Sequence, residues 1–304
     1  MPDSVDTALT APTACLDCGH VNEGEYCSQC GQRRGNLHHS LQEFAAAGLG
    51  SPGNSKTLST LALLLRRPGY LTAAYWAGQR TRYVHPVRLY LSVSAIVFLV
   101  FAWWPNALLG MNEGELLQVS DTNAHAVKLD DTNFQAKMAE AHAELEKNQP
   151  SSWIERVITT AALRVTSEAQ GESREAFFRG YALRLGRTIP KVLFVLLPVF
   201  ALLLKLILRR PPRYYVEHLA FAFHTHSFFL LAFATGQMLS RLMQFDLSTL
   251  SNLLMVGYLF LALRTAYGLS LPQTVLRFGL LFVSYGIALT LGVIGATVIS
   301  IVQT

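Results

Sequence analysis

The sequence predicts an all-α polytopic membrane protein built on a five-helix transmembrane bundle. Three observations carry that prediction. Charged residues make up 15% of the 304-residue chain, against about a quarter in soluble domains. Mean hydropathy is +0.30. The apolar residues gather into long runs whose interiors are nearly free of charge. The net charge of +5 is small, so no nucleic acid is expected as a partner.

A helix rises about 1.5 Å per residue and must cross about 30 Å of hydrocarbon, so a span needs about 20 apolar residues. Five segments qualify: 89–109, 189–208, 216–239, 247–263 and 275–302. In the second, Lys191 and Lys205 lie near the ends, where they can snorkel, and Pro198 predicts a kink. Orientation follows from where the basic flanks lie. Arg66, Arg67, Arg80, Arg82 and Arg88 precede the first span, Arg209, Arg210 and Arg213 lie between the second and third beside Lys205, and Arg264 lies between the fourth and fifth, with Arg277 at the very start of the fifth. With five spans these regions share one side, which the positive-inside rule assigns to the cytoplasmic face of an inner membrane. The N-terminus is then cytoplasmic, and the C-terminus and residues 110–188 are extracytoplasmic. Residues 1–14 are polar, lack a basic and apolar leader pattern, and are expected to form a flexible lead-in.

The insert at 110–188 carries more acidic than basic residues, which fits export. Residues 134–147 are rich in helix formers. Trp153, Val157 and Ala161, with Ile154 and Ile158, recur at helical spacing before a break near Gly171. A small helical subdomain is expected there, with a disordered loop as the alternative.

Residues 36–88 form an interfacial amphipathic region. Leu58, Leu61, Leu64 and Leu65 make an apolar stripe that stops at Arg66-Arg67-Pro68-Gly69, and Tyr70, Ala74, Tyr75 and Trp76 follow. Aromatic rings beside Arg66, Arg67, Arg80, Arg82 and Arg88 suit a headgroup layer, where each basic side chain gains about 1 kcal/mol against anionic lipid. The bilayer and its anionic headgroups are therefore expected partners.

All four cysteines lie in one stretch, as Cys15-x2-Cys18 and Cys27-x2-Cys30, each pair closed by a glycine, Gly19 and Gly31. Two thiolates two residues apart grip one tetrahedral ion, and the glycine frees the backbone to turn its N–H groups toward sulfur. Residues 15–35 thus read as a small N-terminal zinc ribbon, too small to build a core and dependent on its metal to fold. The cofactor expected is structural Zn2+, with no open coordination position. Iron fits the same four-thiolate set. A redox dithiol is the remaining reading, and a cytoplasmic location and the lack of a βαβ pattern speak against it. A cytoplasmic protein, or the chain's own membrane domain, is the expected docking partner of the ribbon.

The runs Cys15-Leu-Asp-Cys18-Gly and Tyr26-Cys27-Ser-Gln-Cys30-Gly31-Gln32 resemble the opening of bacterial membrane proteins grouped as domain-of-unknown-function family 3667. So do Leu65-Arg-Arg67-Pro68-Gly69, the run from Gly78-Gln-Arg80-Thr-Arg82-Tyr83 to Leu89, and Glu217-His218-Leu-Ala-Phe221-Ala-Phe-His224-Thr-His226. The resemblance implies architecture and bacterial origin, and brings no activity with it. The chain departs from the family pattern at Ala77 and Gln79, where an acidic and a basic residue are expected.

The third span carries Glu217, His218, His224 and His226. Ionisable groups inside a membrane cost about 3 kcal/mol or more and raise a functional hypothesis. At about 100° per residue, Glu217, Phe221, His224 and Phe228 share a stripe, His218 lies about 100° away and His226 falls on the opposite side. No three-histidine metal face forms on one such helix. Either Glu217 and His224 share a proton or ion path, or the histidines hydrogen-bond to neighbouring helices while Glu217 and His218 sit at the cytoplasmic interface. In the fifth span Ser284, Ala288, Gly292, Ala296 and Ser300 recur every fourth residue, a ridge of small side chains suited to helix packing and to an oligomer.

No dinucleotide fingerprint, phosphate-binding loop, serine elbow or zinc-protease motif occurs, so no enzyme is expected. The first reading is a non-enzymatic membrane protein whose ribbon serves docking or assembly. A transporter coupled to protons or ions through Glu217 and His224 is the alternative. An intramembrane metal enzyme comes after it.

Overall fold

The structure, a computed structural model, describes residues 13–22, 24–33, 54–103, 124–147, 150, 152–169, 173, 192–209 and 212–302. Two short strands, β1 (Thr13–Ala14) and β2 (Val21–Asn22), pair antiparallel. Helices follow: α1 (Asn54–Arg66), α2 (Tyr70–Trp76), α3 (Pro86–Trp103), α4 (Ala124–Lys147), α5 (Trp153–Ala169), α6 (Val192–Ile207), α7 (Tyr215–Met243), α8 (Ser248–Tyr267) and α9 (Leu271–Val302). The chain forms two compact units, one of Met1–Val100 with Leu197–Tyr285, the other of Phe101–Leu196 with Gly286–Thr304.

Among the described residues, three helices are long and apolar enough to cross a membrane: Tyr215–Met243, Ser248–Tyr267 and Leu271–Gly295. The protein is therefore mostly helical and of membrane type. Pro86–Phe101 and Val192–Ile207 are apolar but shorter, reaching about 24 Å at 1.5 Å per residue. The parts of the expected spans 89–109 and 189–208 at 104–109 and 189–191 lie outside the described residues. On α9 the apolar side chains Val283, Ile287, Leu291 and Ile294 are exposed, the pattern of a helix whose solvent is lipid.

Helix boundaries depart from the hydropathy runs where packing continues past a charge. The fourth run stops before Arg264, yet α8 persists to Tyr267 because Ala266 and Tyr267 are buried. The last run is expected from 275, and α9 starts at Leu271 instead. There Gln273 Oε1 accepts the Ser270 N–H at 3.4 Å and Pro272 occupies the first turn, where its missing N–H costs nothing.

In the first unit α7 lies antiparallel to α8. Phe228 stacks on Tyr258 with centroids 3.6 Å apart, and Ser251 Oγ donates to Ala232 O at 3.1 Å. Helix α2 packs against both, which differs from the expectation that its aromatic residues face headgroups. Ala74 and Tyr75 are buried inside the protein. Gly69 makes this possible: it has φ 78°, and a Cβ there would lie 2.5 Å from Ala262 O. Only glycine tolerates both the left-handed backbone and the contact. Of the leucine stripe on α1, Leu64 is buried, while Leu58 and Leu65 remain exposed.

In the second unit α4 and α5 form an antiparallel hairpin. Gln135 Nε2 donates to Ala169 O at 2.8 Å, and His142 Nδ1 meets Thr166 Oγ1 at 2.7 Å. Helix α4 begins ten residues before the expected 134, and α5 covers the Trp153 periodicity, its start capped reciprocally by Ser152 and Glu155. The break near Gly171 lies outside the described residues, as do Ala296 and Ser300 in their side-chain placement. Gly292 of the small ridge packs on Val192 and Leu196 of α6.

Candidate metal centre and the polar junction beside it

The two cysteine pairs fold as two copies of one local turn. Cys15 N–H donates to His20 O and Gly19 N–H to Cys15 O, both at 2.9 Å. Twelve residues on, Cys27 N–H donates to Gln32 O at 2.9 Å and Gly31 N–H to Cys27 O at 2.8 Å. Gly19 and Gly31 take φ values of 77° and 72°, the left-handed conformation that brings the chain back toward each sulfur. The β1–β2 pairing and the Tyr26–Arg33 bridge close the two turns into a ribbon.

The turns face each other so that all four sulfurs lie within 4.8 Å of one another. Cys15 and Cys30 Sγ are 3.6 Å apart, as are Cys18 and Cys27 Sγ. Four thiolates about 2.3 Å from one tetrahedral ion would lie about 3.8 Å apart, so the arrangement fits such an ion. It is too wide for disulfides, and the cysteines are free. The backbone N–H groups of Cys30 and Gln29 lower the Cys27 thiol to about 6. The His20 N–H also lowers Cys18, but burial and protons shared with the other three thiols raise it to about 12. Burial raises Cys30 as well. A cation among them would replace those shared protons.

The ribbon rests on the loop after α2. Gln32 Nε2 donates to Gly78 O at 2.7 Å, and Arg80 N–H donates to Gln32 Oε1 at 3.3 Å. Thr81 Oγ1 donates to Asp17, and Lys56 Nζ donates to Thr81 O. Leu16 touches Gly78 so closely that a Cβ there would sit 2.8 Å from its side chain.

Behind the loop lies a junction of rings and charges. The Arg80 guanidinium stands 5.5 Å from the Tyr75 ring, and Arg213 stands 3.8 Å from the Trp76 ring. Burial lowers the Arg80 pKa, against the pull of Tyr75 and Glu217, and burial raises Tyr75 to about 12. Trp76 Nε1 donates to Glu217 O at 3.1 Å. Of the other basic residues expected at the lipid interface, Arg67 lies 5.6 Å from the Tyr70 ring, Arg66 and Arg82 are exposed, and Arg88 is half-buried.

The polar residues of α7 go to separate partners. Glu217 accepts from Arg213 Nη1 at 3.0 Å and from Tyr214 N–H at 2.7 Å, so its charge caps the helix. His218 Nδ1 meets Tyr267 Oη at 2.7 Å, and His224 Nδ1 meets Thr72 Oγ1 at 3.0 Å. His226 donates Nδ1–H to Ala222 O at 2.9 Å, leaving Nε2 to accept from Tyr285 Oη at 3.0 Å. Each histidine is buried. The space around His224, bounded by Thr72, Thr225 and Tyr258, has no room for a water molecule. Among the described residues, the cysteines are the one group of three or more side chains placed to hold a metal.

The partners Thr72, Tyr267 and Tyr285 escape sequence reasoning because they lie 152, 49 and 59 residues from their histidines. What Gln32 binds escapes it too, since its loop partners Gly78 and Arg80 lie 46 and 48 residues away. The buried seat of α2 had a signal in Ala262 and Ala266, small residues four apart on α8 that admit a close neighbour.

The family model described as protein of unknown function, DUF3667, matches residues 54–98, which run from the start of α1 into α3. It takes in the Pro68-Gly69 turn and the loop that receives the ribbon, and stops short of the cysteines and α7. No curated protein and no solved structure matches the chain. Through the segment that carries α1, α2 and the docking loop, the chain is similar to the DUF3667 family.

Proposed function

We propose that the chain is a non-enzymatic integral protein of a bacterial inner membrane whose ribbon holds one structural zinc ion and serves docking and assembly. It crosses the membrane five times, at 89–109, 189–208, 216–239, 247–263 and 275–302. The N-terminus is cytoplasmic, and the α4–α5 hairpin and the C-terminus lie outside. The observation that carries this reading is the convergence of four cysteine sulfurs within 4.8 Å, which uses every ligand position of a tetrahedral ion and leaves none for substrate. A transporter built on Glu217 and His224 is the competing reading. Glu217 is engaged by Arg213 and its own helix end, His224 by Thr72, and no water-sized space lies at His224.

Metal analysis of the full-length protein purified in detergent tests the ribbon. One zinc per chain is expected. A protein that folds normally without metal contradicts the proposal. Reporter fusions active only outside the cytoplasm test the topology: activity is expected at Gln149 and Thr304 and none at Pro212, and activity at Pro212 would overturn the orientation.

A further inference from the structure

We infer that the ribbon is a metal-dependent latch on its own chain: when loaded, it grips the loop from Gly78 to Thr81 and so fixes the end of α2 against α7. The inference rests on the proposed metal site and names what that site docks to. Gln32 is placed by the second cysteine turn, since its carbonyl accepts the Cys27 N–H at 2.9 Å. From there its amide binds the loop twice, through Gly78 O and Arg80 N–H, and it is buried in doing so. The first cysteine turn supplies the rest, with Asp17 accepting from Thr81 Oγ1 and Leu16 against Gly78. Both halves of the ribbon therefore hold the same loop. Their relative position depends on four sulfurs closing on one ion, because a module this small has no core to hold it otherwise.

The loop in turn ends α2. Gly78 N–H donates to Tyr75 O at 3.1 Å and Gln79 N–H to Ala74 O at 3.0 Å. Helix α2 carries Thr72 to His224 and Trp76 to the Glu217 carbonyl. Loss of the ion loosens Gln32 and Asp17 together and frees the α2 end. The occupant of the ribbon's docking face is thus the chain itself, and a cytoplasmic protein could use that face only after release.

Trypsin reports the latch on the full-length protein in detergent, through the Arg80–Thr81 and Arg82–Tyr83 bonds. Cleavage there should be slow in the zinc-loaded protein and roughly tenfold faster or more after chelation, because cutting tracks the open population. Gln32→Ala should keep its zinc, since it removes no ligand, yet be cut roughly tenfold faster while loaded. Thr81→Ala, which breaks the Asp17 contact from the loop side and leaves the ribbon untouched, should show the same change in lesser degree. Wild-type resistance in both loaded variants would overturn the latch, as would equal resistance of loaded and stripped wild type. Failure of the metal site shows separately, as wild-type protein that contains no zinc.

Discussion

The cysteine ribbon and the polar face of α7 each gather four groups able to bind a proton or a metal, and the structure treats them in opposite ways. The four sulfurs come within 4.8 Å of one another. Glu217, His218, His224 and His226 instead disperse to Arg213, Tyr267, Thr72 and Tyr285. The difference is one of backbone. Two glycine-closed turns aim side chains inward at one point, whereas a straight helix rotates each residue by about 100° and separates Glu217 from His224 by about 10 Å along its axis. Type and number of ligands do not make a site; convergence does.

Removing a ligand from the convergent set should have the largest effect. Cys18→Ser should lower zinc affinity by roughly 3 kcal/mol, more than a hundredfold, measured by competition with a chromogenic chelator. Retained wild-type affinity would mean that the sulfurs do not share an ion. Acid should do the same gradually. With Cys18 and Cys30 raised, protons compete for the site even near neutrality, and below about pH 6 Cys27 protonates too. Affinity should therefore fall as pH falls, by at least about tenfold per unit. A flat profile between pH 8 and 6 would argue against thiolate ligation.

Gly69→Ala probes the seat of α2 and should cost about 2 kcal/mol or more, from the left-handed backbone and the clash with Ala262 O. A melting temperature in detergent unchanged from wild type would show that α2 does not pack as described.

The smallest effects belong to the dispersed set. His224→Ala and His226→Ala should each cost about 0.6 to 2 kcal/mol, because each breaks an interhelical hydrogen bond. Any phenotype the gene supports should then fall only with protein abundance. Abolition of that phenotype by Glu217→Gln and His224→Ala, with abundance kept and His226→Ala silent, would instead identify a proton or ion path and break the comparison.

How much was legible follows the same division. The ribbon is local: ligand spacing and the glycines at 19 and 31 are written within twenty residues, and its geometry follows from them. The angular separation of His224 from His226 is also local, a property of any helix. What each histidine meets is not, because Thr72 and Tyr285 are ordinary residues brought there by tertiary packing. The misplacement of Tyr75 at the lipid surface has the same origin. An aromatic residue beside arginines suits headgroups or a buried cation–π contact equally, and the choice is made by Gly69 meeting α8. Span ends likewise follow burial rather than charge, as Tyr267 shows on α8.

X-ray absorption at the metal edge of the full-length protein tests the central claim most directly. Zinc bound by four sulfur atoms at about 2.3 Å, with no nitrogen or oxygen neighbour, is the result expected. A shell containing nitrogen or oxygen, or no metal at all in folded protein, would contradict it.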